Sequence, residues 1–424
     1  MKGMTPLPPL KIGLSHPQGP AAVITRRAAD RLRDGSVWVY RSEIEQLLPA
    51  PNSVAVSPGA IVTVLDSRRI PLGSATFSAA SQIALRVVAA APALNREQYL
   101  QLVAERVEQA IALREELAPA SEENNACRLI FSEADQLPGI VADRYNDLVI
   151  LQLLTQSSAQ DDVRSTVANA IQTRLAPTTI VERPDPKIRT AEELPLPPAQ
   201  PLYQDREAPK LATEFTINGL RFAFDATSGQ KTGAFLDQRL NYAAAARQAR
   251  GNALDVCTYQ GGFALHLALA CERVTGVDAS RAALEVADAN LALNPRLPAN
   301  SDWIEADAFE LLREFDATNH RFDTIVLDPP AFAKSKRATE GAVRGYKELN
   351  LRALKMLVPG GTLITCSCSH HVSLADFTAI VAAAAADAHR RVQLLETRGA
   401  APDHPAILTL PETTYLKCLI CRVE

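Results

Sequence analysis

From about residue 252 to the C-terminus, short apolar runs alternate with longer amphipathic segments, and this alternation limits the fold more than any other feature. Helices are predicted between the apolar runs, for example over residues 262–270 and 281–292. Strands that alternate with helices form a doubly wound, mostly parallel sheet. We therefore predict a Rossmann-like α/β domain. Its strands are expected at residues 253–256, 273–278, 303–305, 324–328, 362–367 and 415–422.

The length and composition of the chain fit a soluble protein of several domains. Its 424 residues exceed one ordinary domain, so two or three are expected. A content of 47% apolar and 22% charged residues supports a hydrophobic core. No apolar run has membrane-spanning length, and the N-terminus lacks the core of a signal peptide. The odd number of cysteines, seven, favours reduced thiols in the cytoplasm. No metal site and no membrane partner are predicted.

Changes in pattern divide the chain into four parts. We expect a flexible arm over residues 1–20, a β-rich module over 21–90, a central α+β domain with a connector over 91–205, and the α/β domain over 206–424. In the module, residues 21–32 predict a short basic helix, and short strands separated by turns follow. The central domain is predicted to contain helices over residues 96–117 and 161–175, with a hairpin over 127–145 between them.

Charge is distributed unevenly along the chain. Residues 1–90 contain ten Lys or Arg and five Asp or Glu, which gives a local balance of 10 − 5 = +5 on a chain with a net charge of −4. A basic module on an acidic body can present a surface that contacts the phosphates of a nucleic acid. A surface that is merely rich in arginine explains the same count.

Acidic residues lie at or just after the carboxyl ends of four successive predicted strands: Asp255, Asp278, Asp307 and Asp328. The first is followed by Gly261 and Gly262, which allow a close approach of the backbone to a ligand at a helix N-terminus. The spacing is not that of a dinucleotide site, and no P-loop lysine is present. We predict S-adenosylmethionine as cofactor, with its ribose at Asp278, its adenine near Asp307 and its methionine end near Asp255 and the two glycines. Capping of the following helices is the alternative role for these acids.

The stretch Asp328-Pro-Pro-Ala-Phe332 ends a predicted buried strand. Proline cannot continue the strand pairing and fixes φ, so the turn is stiff and its carbonyl groups are available as acceptors. One carboxylate, free carbonyls and an aromatic ring suit a flat heterocycle with an amino group. A capping aspartate before a proline-rich turn is the alternative.

Two cysteines lie at the end of the strand predicted over residues 362–367. Cys368 lies nearer its carboxyl end than Cys366, where the acidic turns meet. A thiolate that adds to C6 of a pyrimidine makes C5 able to accept a methyl group. Buried structural cysteines are the alternative. His370 and His371 could assist proton removal, although exposed loop histidines are common.

With these residues in place, the chain resembles the bacterial ribosomal RNA large-subunit cytosine-C5 methyltransferases that carry an N-terminal PUA domain. The resemblance implies a PUA-like RNA-binding module, a class I methyltransferase domain, 5-methylcytosine formation in 23S ribosomal RNA, and a homodimer as one form of the enzyme. The motifs are Gly35-Ser-Val-Trp-Val-Tyr-Arg-Ser-Glu-Ile44, Phe131-Ser-Glu-Ala-Asp-Gln-Leu-Pro-Gly-Ile140, Glu182-Arg-Pro-Asp-Pro-Lys-Ile-Arg189, Lys231-Thr-Gly-Ala-Phe-Leu-Asp-Gln-Arg239, Asp255-Val-Cys-Thr-Tyr-Gln-Gly-Gly-Phe263, Asp328-Pro-Pro-Ala-Phe332, Arg344-Gly-Tyr-Lys-Glu-Leu-Asn350 and Ser367-Cys-Ser369.

The resemblance also implies the members of the site. Cys368 is the nucleophile, and Asp328 completes the catalytic pair. Besides the acids and glycines above, the cofactor pocket includes Lys231, Thr232, Phe235, Gln238, Cys257, Tyr259, Ala279, Ser280 and Ala308. The RNA substrate is expected to contact Pro329, Pro330, Phe332, Arg239, Asp185 and Arg189.

Two departures from the family pattern keep alternatives open. Many RNA cytosine-C5 enzymes have a second cysteine in the Asp328 turn, and here that turn has none. His370-His371 replaces the small residues expected after Ser-Cys-Ser. A guanine-N7 branch has a similar Asp-Pro-Pro-x-Phe pattern, so methylation of guanine N7 or of an exocyclic amine is the alternative reaction. A non-catalytic RNA-binding assembly factor is the alternative of another class.

Overall fold

The N-terminal module is built on a six-stranded sheet. The structure, a computed structural model, describes residue 7 and residues 9–227, 233–332 and 339–424. The strand order in the module is β2-β6-β5-β4-β1-β3. Its elements are β1 (Ala21–Ile24), α1 (Arg26–Arg33), β2 (Trp38–Tyr40), β3 (Ile44–Leu48), β4 (Ile61–Leu65), β5 (Pro71–Phe77) and β6 (Ile83–Ala89).

The helix predicted over residues 21–32 is wrong at its start. Strand β1 occupies its first four residues and lies between β3 and β4, with all four side chains buried. The helix begins only after Thr25, whose hydroxyl oxygen accepts a hydrogen bond from the Ala28 N–H at 3.3 Å. Burial between two neighbouring strands outweighs the helix propensity of the two alanines.

The central domain has a five-stranded sheet with the order β11-β10-β9-β8-β7. The helices predicted over residues 96–117 and 161–175 are confirmed, as is the antiparallel hairpin of β7 and β8. The elements are α2 (Arg96–Leu117), β7 (Ala126–Phe131), β8 (Ile140–Tyr145), β9 (Leu148–Leu153), α3 (Asp161–Leu175), β10 (Thr179–Glu182), α4 (Pro186–Glu192) and β11 (Tyr203–Gln204). A separate hairpin of β12 (Ala212–Ile217) and β13 (Leu220–Asp225) follows.

The C-terminal domain has a seven-stranded sheet with the order β16-β15-β14-β17-β18-β20-β19. The first five strands are parallel, while β20 and β19 run antiparallel to their neighbours, so the predicted mostly parallel, doubly wound sheet is confirmed. The elements are α5 (Arg239–Gln248), β14 (Asn252–Val256), α6 (Gly262–Leu267), β15 (Arg273–Asp278), α7 (Arg281–Ala292), β16 (Asn300–Glu305), α8 (Ala308–Ala317), β17 (Phe322–Leu327), α9 (Thr339–Met356), β18 (Leu357–Ser367), α10 (Leu374–Asp387), β19 (Val392–Arg398) and β20 (Lys417–Val423).

One strand of this sheet was not predicted. Strand β19 lies at the edge, and most of its side chains are exposed or half-buried. It therefore lacks the apolar run that identified the central strands.

Buried polar contacts join the central and C-terminal domains. The carboxylate of Asp403, in the loop before β20, accepts hydrogen bonds from the Arg128 backbone N–H at 3.0 Å and from the Arg239 guanidinium at 3.2 Å. Its backbone carbonyl accepts from the Arg114 guanidinium at 3.0 Å. The ring of Tyr145 stacks on Phe224 with centroids 4.0 Å apart. These contacts hold the central domain against the edge of the sheet where β17 and β18 end.

All seven cysteines are free thiols. Across the described ranges, none of the helices combines the length and the apolar character that crossing a bilayer requires.

Candidate active site

The loop after β14 is shaped around the buried carboxylate of Asp255. Its Oδ2 accepts hydrogen bonds from the Thr258 hydroxyl at 2.6 Å and from the Ala264 backbone N–H at 2.9 Å. Burial raises the pKa of Asp255 to about 7, against the lowering effect of these bonds. Its Oδ1 is buried and has no hydrogen-bond partner among the described residues. Asp255 thus stabilises the conformation of the loop through its hydrogen bonds to Thr258 and Ala264.

The same loop carries unusual backbone conformations. Cys257 and Tyr259 have φ values of 66° and 52°, which cost roughly 1–3 kcal/mol each and occur often at ligand sites. A Cβ atom on Gly262 would lie 2.5 Å from the Tyr242 hydroxyl oxygen. The Gly261-Gly262 turn is therefore a place where only a bare backbone fits.

The acids after β15 and β16 both organise neighbouring loops. The carboxylate of Asp278 accepts hydrogen bonds from the backbone N–H groups of Tyr259 and Ser280, at 3.0 and 2.9 Å. Asp307 is exposed and caps α8, where its Oδ1 accepts from two backbone N–H groups. The capping role proposed as the alternative is therefore present at Asp307. Asp278, by contrast, is half-buried beside the loop that contains the Gly261-Gly262 turn.

The segment before α5 crosses the same edge of the sheet. The half-buried ring of Phe235 packs edge-on against Tyr259, with centroids 5.0 Å apart. The Tyr259 hydroxyl donates to the Gly233 carbonyl at 3.3 Å. Phe235 therefore lies next to the loop after β14, and its contact with the cofactor stays a prediction. Lys231 and Thr232, predicted for the same pocket, lie outside the described residues.

The predicted role of Gln238 in cofactor binding requires a free side-chain amide, but both ends of this amide bind other side chains. The side chain is buried, with 2% exposure, and its Nε2 donates to Oδ2 of Asp328 at 3.0 Å. Its Oε1 accepts from Asn241 at 2.6 Å. Because both ends of the amide are occupied in this way, we reassign Gln238 to the orientation of Asp328.

The two catalytic candidates lie at the ends of neighbouring parallel strands. Asp328 is half-buried after β17, and Cys368 is half-buried after β18. The Sγ atom of Cys368 lies 3.9 Å from the carbonyl oxygen of Pro329, in the turn that Asp328 begins. Cys366, by contrast, is fully buried and faces Cys418 on β20. The predicted difference between the two cysteines is present in the structure.

Comparison with known proteins decides the family. A family model for S-adenosylmethionine-dependent methyltransferases matches residues 206–420. The chain belongs to this family. A PUA-like domain model matches residues 23–89 of the methyltransferase. Proteins named ribosomal RNA large subunit methyltransferase I are 36% identical in Photobacterium profundum (93% of this chain and 96% of that one) and 37% identical in Shewanella denitrificans (91% and 95%). The family predicted from the motifs is confirmed.

Solved structures show the same fold. SMU.776, a methyltransferase-fold protein complexed with SAH, has a TM-score of 0.77 at 19% identity, over 94% of this methyltransferase and 99% of that chain. A SAM-dependent methyltransferase structure from Streptococcus mutans has a TM-score of 0.76 at 18% identity, over 94% and 99%. The fold prediction, a Rossmann-like domain with a PUA-like module, is confirmed.

The residues of the methyltransferase fit its cofactor. The unpartnered Oδ1 of Asp255, the strained loop and the glycine turn form a cradle at the carboxyl end of β14, where nucleotides bind in such sheets. Asp278 can accept from ribose hydroxyls, Ala279 and Ser280 follow it in the loop before α7, and Ala308 is the first residue of α8. Which atom of S-adenosylmethionine each residue contacts stays a prediction.

The residues predicted to contact RNA have different surroundings. Pro330 is exposed, Pro329 is buried and Phe332 is half-buried at the site. Arg239 is 5% exposed and paired with Asp403. This position between two domains does not suit the predicted contact with RNA, because little of the guanidinium reaches the surface.

Two further members of that group lie in the central domain. Asp185 caps α4, and its Oδ1 accepts from two backbone N–H groups at 2.9 and 3.0 Å. Arg189 is buried and lies 3.3 Å from Glu182. Both therefore fold the loop after β10, and their contact with RNA stays a prediction.

Sequence reasoning missed three side chains at the methyltransferase site. Tyr346 on α9 packs on Phe332, with centroids 4.8 Å apart, and its hydroxyl lies 2.9 Å from the Ser369 hydroxyl. Lys417, which begins β20, donates to the carbonyl oxygen of Ser369, and the ring of Tyr415, in the loop before β20, lies 5.6 Å from that of His370. Tyr346 belongs to the motif that ends at Asn350, which had no assigned role. The sequence did not indicate a role for Lys417, because a lysine at the start of an apolar strand is expected at the surface.

Proposed function

We propose that the methyltransferase forms 5-methylcytosine in ribosomal RNA of the large subunit, by covalent catalysis through Cys368. The observation that supports this proposal most is the 3.9 Å separation between the Cys368 Sγ atom and the Pro329 carbonyl oxygen. It means that a base held by the Asp328 turn lies next to a thiol. The relatives match more than nine tenths of this chain, and their names support RNA as the substrate.

The target cytosine must leave its stack to reach this cleft. The carboxylate of Asp328, oriented by Gln238, accepts from the exocyclic amino group of the base. The half-buried ring of Phe332, supported by Tyr346, provides an apolar surface on which a base can stack. These contacts orient the ring so that its C6 atom faces the thiol.

The chemistry of the thiol then follows from charge balance. The Cys368 thiolate forms a bond to C6, and the electron pair of the C5=C6 double bond moves toward C5 and N3. S-adenosylmethionine, when bound, supplies the methyl group to the resulting nucleophilic carbon. The proton on C5 is then transferred to a general base. The electron pair of the C5–H bond restores the C5=C6 double bond while the bond from Sγ to C6 breaks, and this regenerates the thiolate.

The basic module is proposed to dock the RNA. Several of its arginines are used internally, since Arg31 pairs with Glu43 and Arg33 bonds Asp66 at 2.8 Å. The second of these contacts places the turn between β4 and β5 against α1. Apart from Arg33, the exposed basic side chains that this turn and α1 present together are Arg26, Arg27, Arg68 and Arg69. We place the enzyme in the cytoplasm with its RNA, and its predicted homodimer can be measured by sedimentation.

The test compares two cysteines that lie two residues apart. Cys368→Ala should abolish methylation of large-subunit RNA, and it should also abolish a covalent adduct with RNA that contains 5-fluorocytidine. Fluorine at C5 cannot leave as a proton, so the bond from Sγ to C6 persists. Cys366→Ala is the matched control and should retain both the activity and the adduct. Nucleosides from the product are identified by mass spectrometry.

Two results would contradict the proposal. Activity retained in Cys368→Ala, with N7-methylguanosine or an N-methylated base as product, would favour the reaction that needs no thiol. Binding of S-adenosylmethionine without turnover on any ribosomal RNA would favour an assembly factor.

A further inference from the structure

A buried ammonium group is hydrogen-bonded to the turn that contains the proposed nucleophile. Lys417 begins β20, and its side chain is only 5% exposed. Its Nζ donates hydrogen bonds to the carbonyl oxygens of Ser369 and Tyr415, both at 2.7 Å. Ser369 directly follows Cys368, so Lys417 is anchored to the same turn as the thiol. Two carbonyl groups satisfy two of the three ammonium donors but do not neutralise the charge.

The buried ammonium group of Lys417 requires a negatively charged partner. A buried charge is usually paired, yet no carboxylate in the described part of the chain forms an ion pair with Lys417. Burial lowers the pKa of Lys417 to about 8, and the Cys368 thiolate is the group whose charge raises it again. The ammonium is therefore still largely protonated at pH 7. The thiolate would be an anion on the turn to which the ammonium group is hydrogen-bonded, because Ser369 directly follows Cys368.

In the part of the chain that the structure describes, the two tyrosines and the carboxyl group near Cys368 do not supply a cation. Burial raises the pKa values of the Tyr346 and Tyr415 hydroxyls, so both are neutral near pH 7. Tyr415 donates to Asp237 on the far side. Asp328 is negative and disfavours a second negative charge next to it. The exposed His370 ring points to the Glu412 carbonyl, with its Nδ1 at 3.1 Å, and His371 lies beyond it on the surface.

We propose that Lys417 is a positioning residue, whose ammonium group keeps Cys368 as a reactive thiolate despite the adjacent carboxylate of Asp328. The inference rests on the proposed function in so far as it takes Cys368 as the nucleophile. A neighbouring lysine favours the charged form of a thiol by direct attraction. Anchoring of Nζ by two carbonyls keeps that charge in place, so that little reorganisation is needed when the base arrives.

The test measures the thiolate without RNA or cofactor. Alkylation of Cys368 by iodoacetamide is followed in the full chain from pH 5 to 10, by mass spectrometry of its peptide. In Lys417→Met, the pH of half-maximal rate should rise by about one unit or more, which is about a tenfold slower reaction at pH 7. Lys417→Arg retains the charge and should stay within about threefold of the wild-type rate.

Three controls make the result decisive. Alkylation of the half-buried Cys257 reports the integrity of the fold and should not change. Lys347→Met removes a half-buried lysine of α9, which pairs with Asp387, and should leave the profile unchanged. Lys417→Gln can still donate to both carbonyls without a charge, so it replaces Lys417→Met if that variant does not fold.

An unchanged pH profile in a folded, uncharged variant would overturn the inference. The two proposals fail separately. A Cys368→Ala enzyme that still methylates RNA removes the covalent mechanism, whereas the labelling profile concerns only the thiol and its neighbour.

Discussion

The side-chain amide of Gln238 donates a hydrogen bond of 3.0 Å to Oδ2 of Asp328. The amide cannot turn over easily, because its oxygen accepts from Asn241. The oxygen of Asn241 in turn accepts from Arg398 at 2.9 Å. A chain of polar side chains thus runs from the edge strand β19 to the proposed base-binding carboxylate. It sets the orientation of Asp328 before any substrate is present.

Replacement of Gln238 by Glu should impair catalysis in a pH-dependent way. The change places a second carboxylate against Asp328, and two adjacent carboxylates share a proton. We expect methyl incorporation into RNA to fall about 100-fold at pH 8, equal to about 2.7 kcal/mol, and to fall less at pH 6, where one of the pair is protonated. Gln393→Glu makes the same change on the exposed face of β19 and should stay within about twofold. Equal losses in both variants would refute the role of Gln238.

The periodic pattern predicted the C-terminal sheet well, because its central strands are apolar runs that end at acids. Thus the bounds of β15 and α7 were predicted to the residue. Edge strand β19 was missed, since an exposed strand has no continuous apolar run. At the site, the pattern located Asp328 and Cys368 at the same edge of the sheet.

Contacts between distant segments could not be predicted in the same way. Gln238 precedes Asp328 by 90 residues, and Arg239 meets Asp403 across 164. A motif indicates that such residues matter but does not reveal their partners. Lys417 shows the limit most clearly, because a lysine at the start of an apolar strand normally marks the surface.

Replacement of Gly262 by Ala should weaken cofactor binding. The added methyl group would meet the buried Tyr242 hydroxyl at 2.5 Å, so either the ring or the glycine turn must move. We expect the dissociation constant for S-adenosylmethionine to rise about 10- to 100-fold, measured by calorimetric titration. Gly341→Ala in α9 is the matched control, because its Cβ atom would meet nothing within 4 Å. That variant should bind normally. Normal binding by Gly262→Ala would place the cofactor elsewhere.

Replacement of Asp255 by Asn should flatten the dependence of stability on pH. Burial raises the pKa of this carboxyl from 3.8 to about 7 in the folded chain. The folded state therefore retains a proton that the unfolded state has lost, and stability declines as pH rises from about 4 to about 7. Three pKa units correspond to about 4 kcal/mol. Asn can keep its oxygen at the position that accepts from Thr258 and Ala264.

The measurement is urea denaturation at pH 5 and pH 8. The wild type should lose about 3 kcal/mol more than Asp255→Asn between these two values, by the same arithmetic of about 1.4 kcal/mol per unit. Asp34→Asn, a change at an exposed carboxylate after α1, should behave as the wild type. A wild-type protein that is equally stable at both pH values would contradict the protonated state of Asp255.

Replacement of Arg239 by Met should lower stability rather than RNA affinity. The guanidinium pairs with Asp403 where both are almost fully buried, and removal of one partner of such a pair costs about 3–5 kcal/mol. Denaturation measures this loss, and filter binding of RNA to the folded variant should change less than about threefold. Arg221→Met breaks the exposed pair with Glu214 and should cost less than about 1 kcal/mol. A large loss of RNA affinity at unchanged stability would restore Arg239 to the substrate site.

Replacement by Gln of four exposed arginines of the module, those that do not pair with Asp66, should reduce the salt dependence of RNA binding. The four side chains are Arg26, Arg27, Arg68 and Arg69. If each contacts a phosphate, the slope of log affinity against log salt should flatten by about 3, because each contact releases about 0.7–0.9 counterions. The affinity at low salt should fall for every RNA sequence alike, since phosphate contacts carry no sequence information.

The matched control neutralises four exposed arginines of the methyltransferase domain. Three of them lie at or before the starts of parallel strands, at the edge opposite the active site: Arg273 begins β15, and Arg296 and Arg321 precede β16 and β17. The fourth is Arg313 on α8. Both variants change the net charge by the same amount, so a general effect of charge would flatten the two slopes equally. We expect the slope to change only in the module variant. Equal slopes in the two variants would mean that the basic balance of the module is merely an arginine-rich surface.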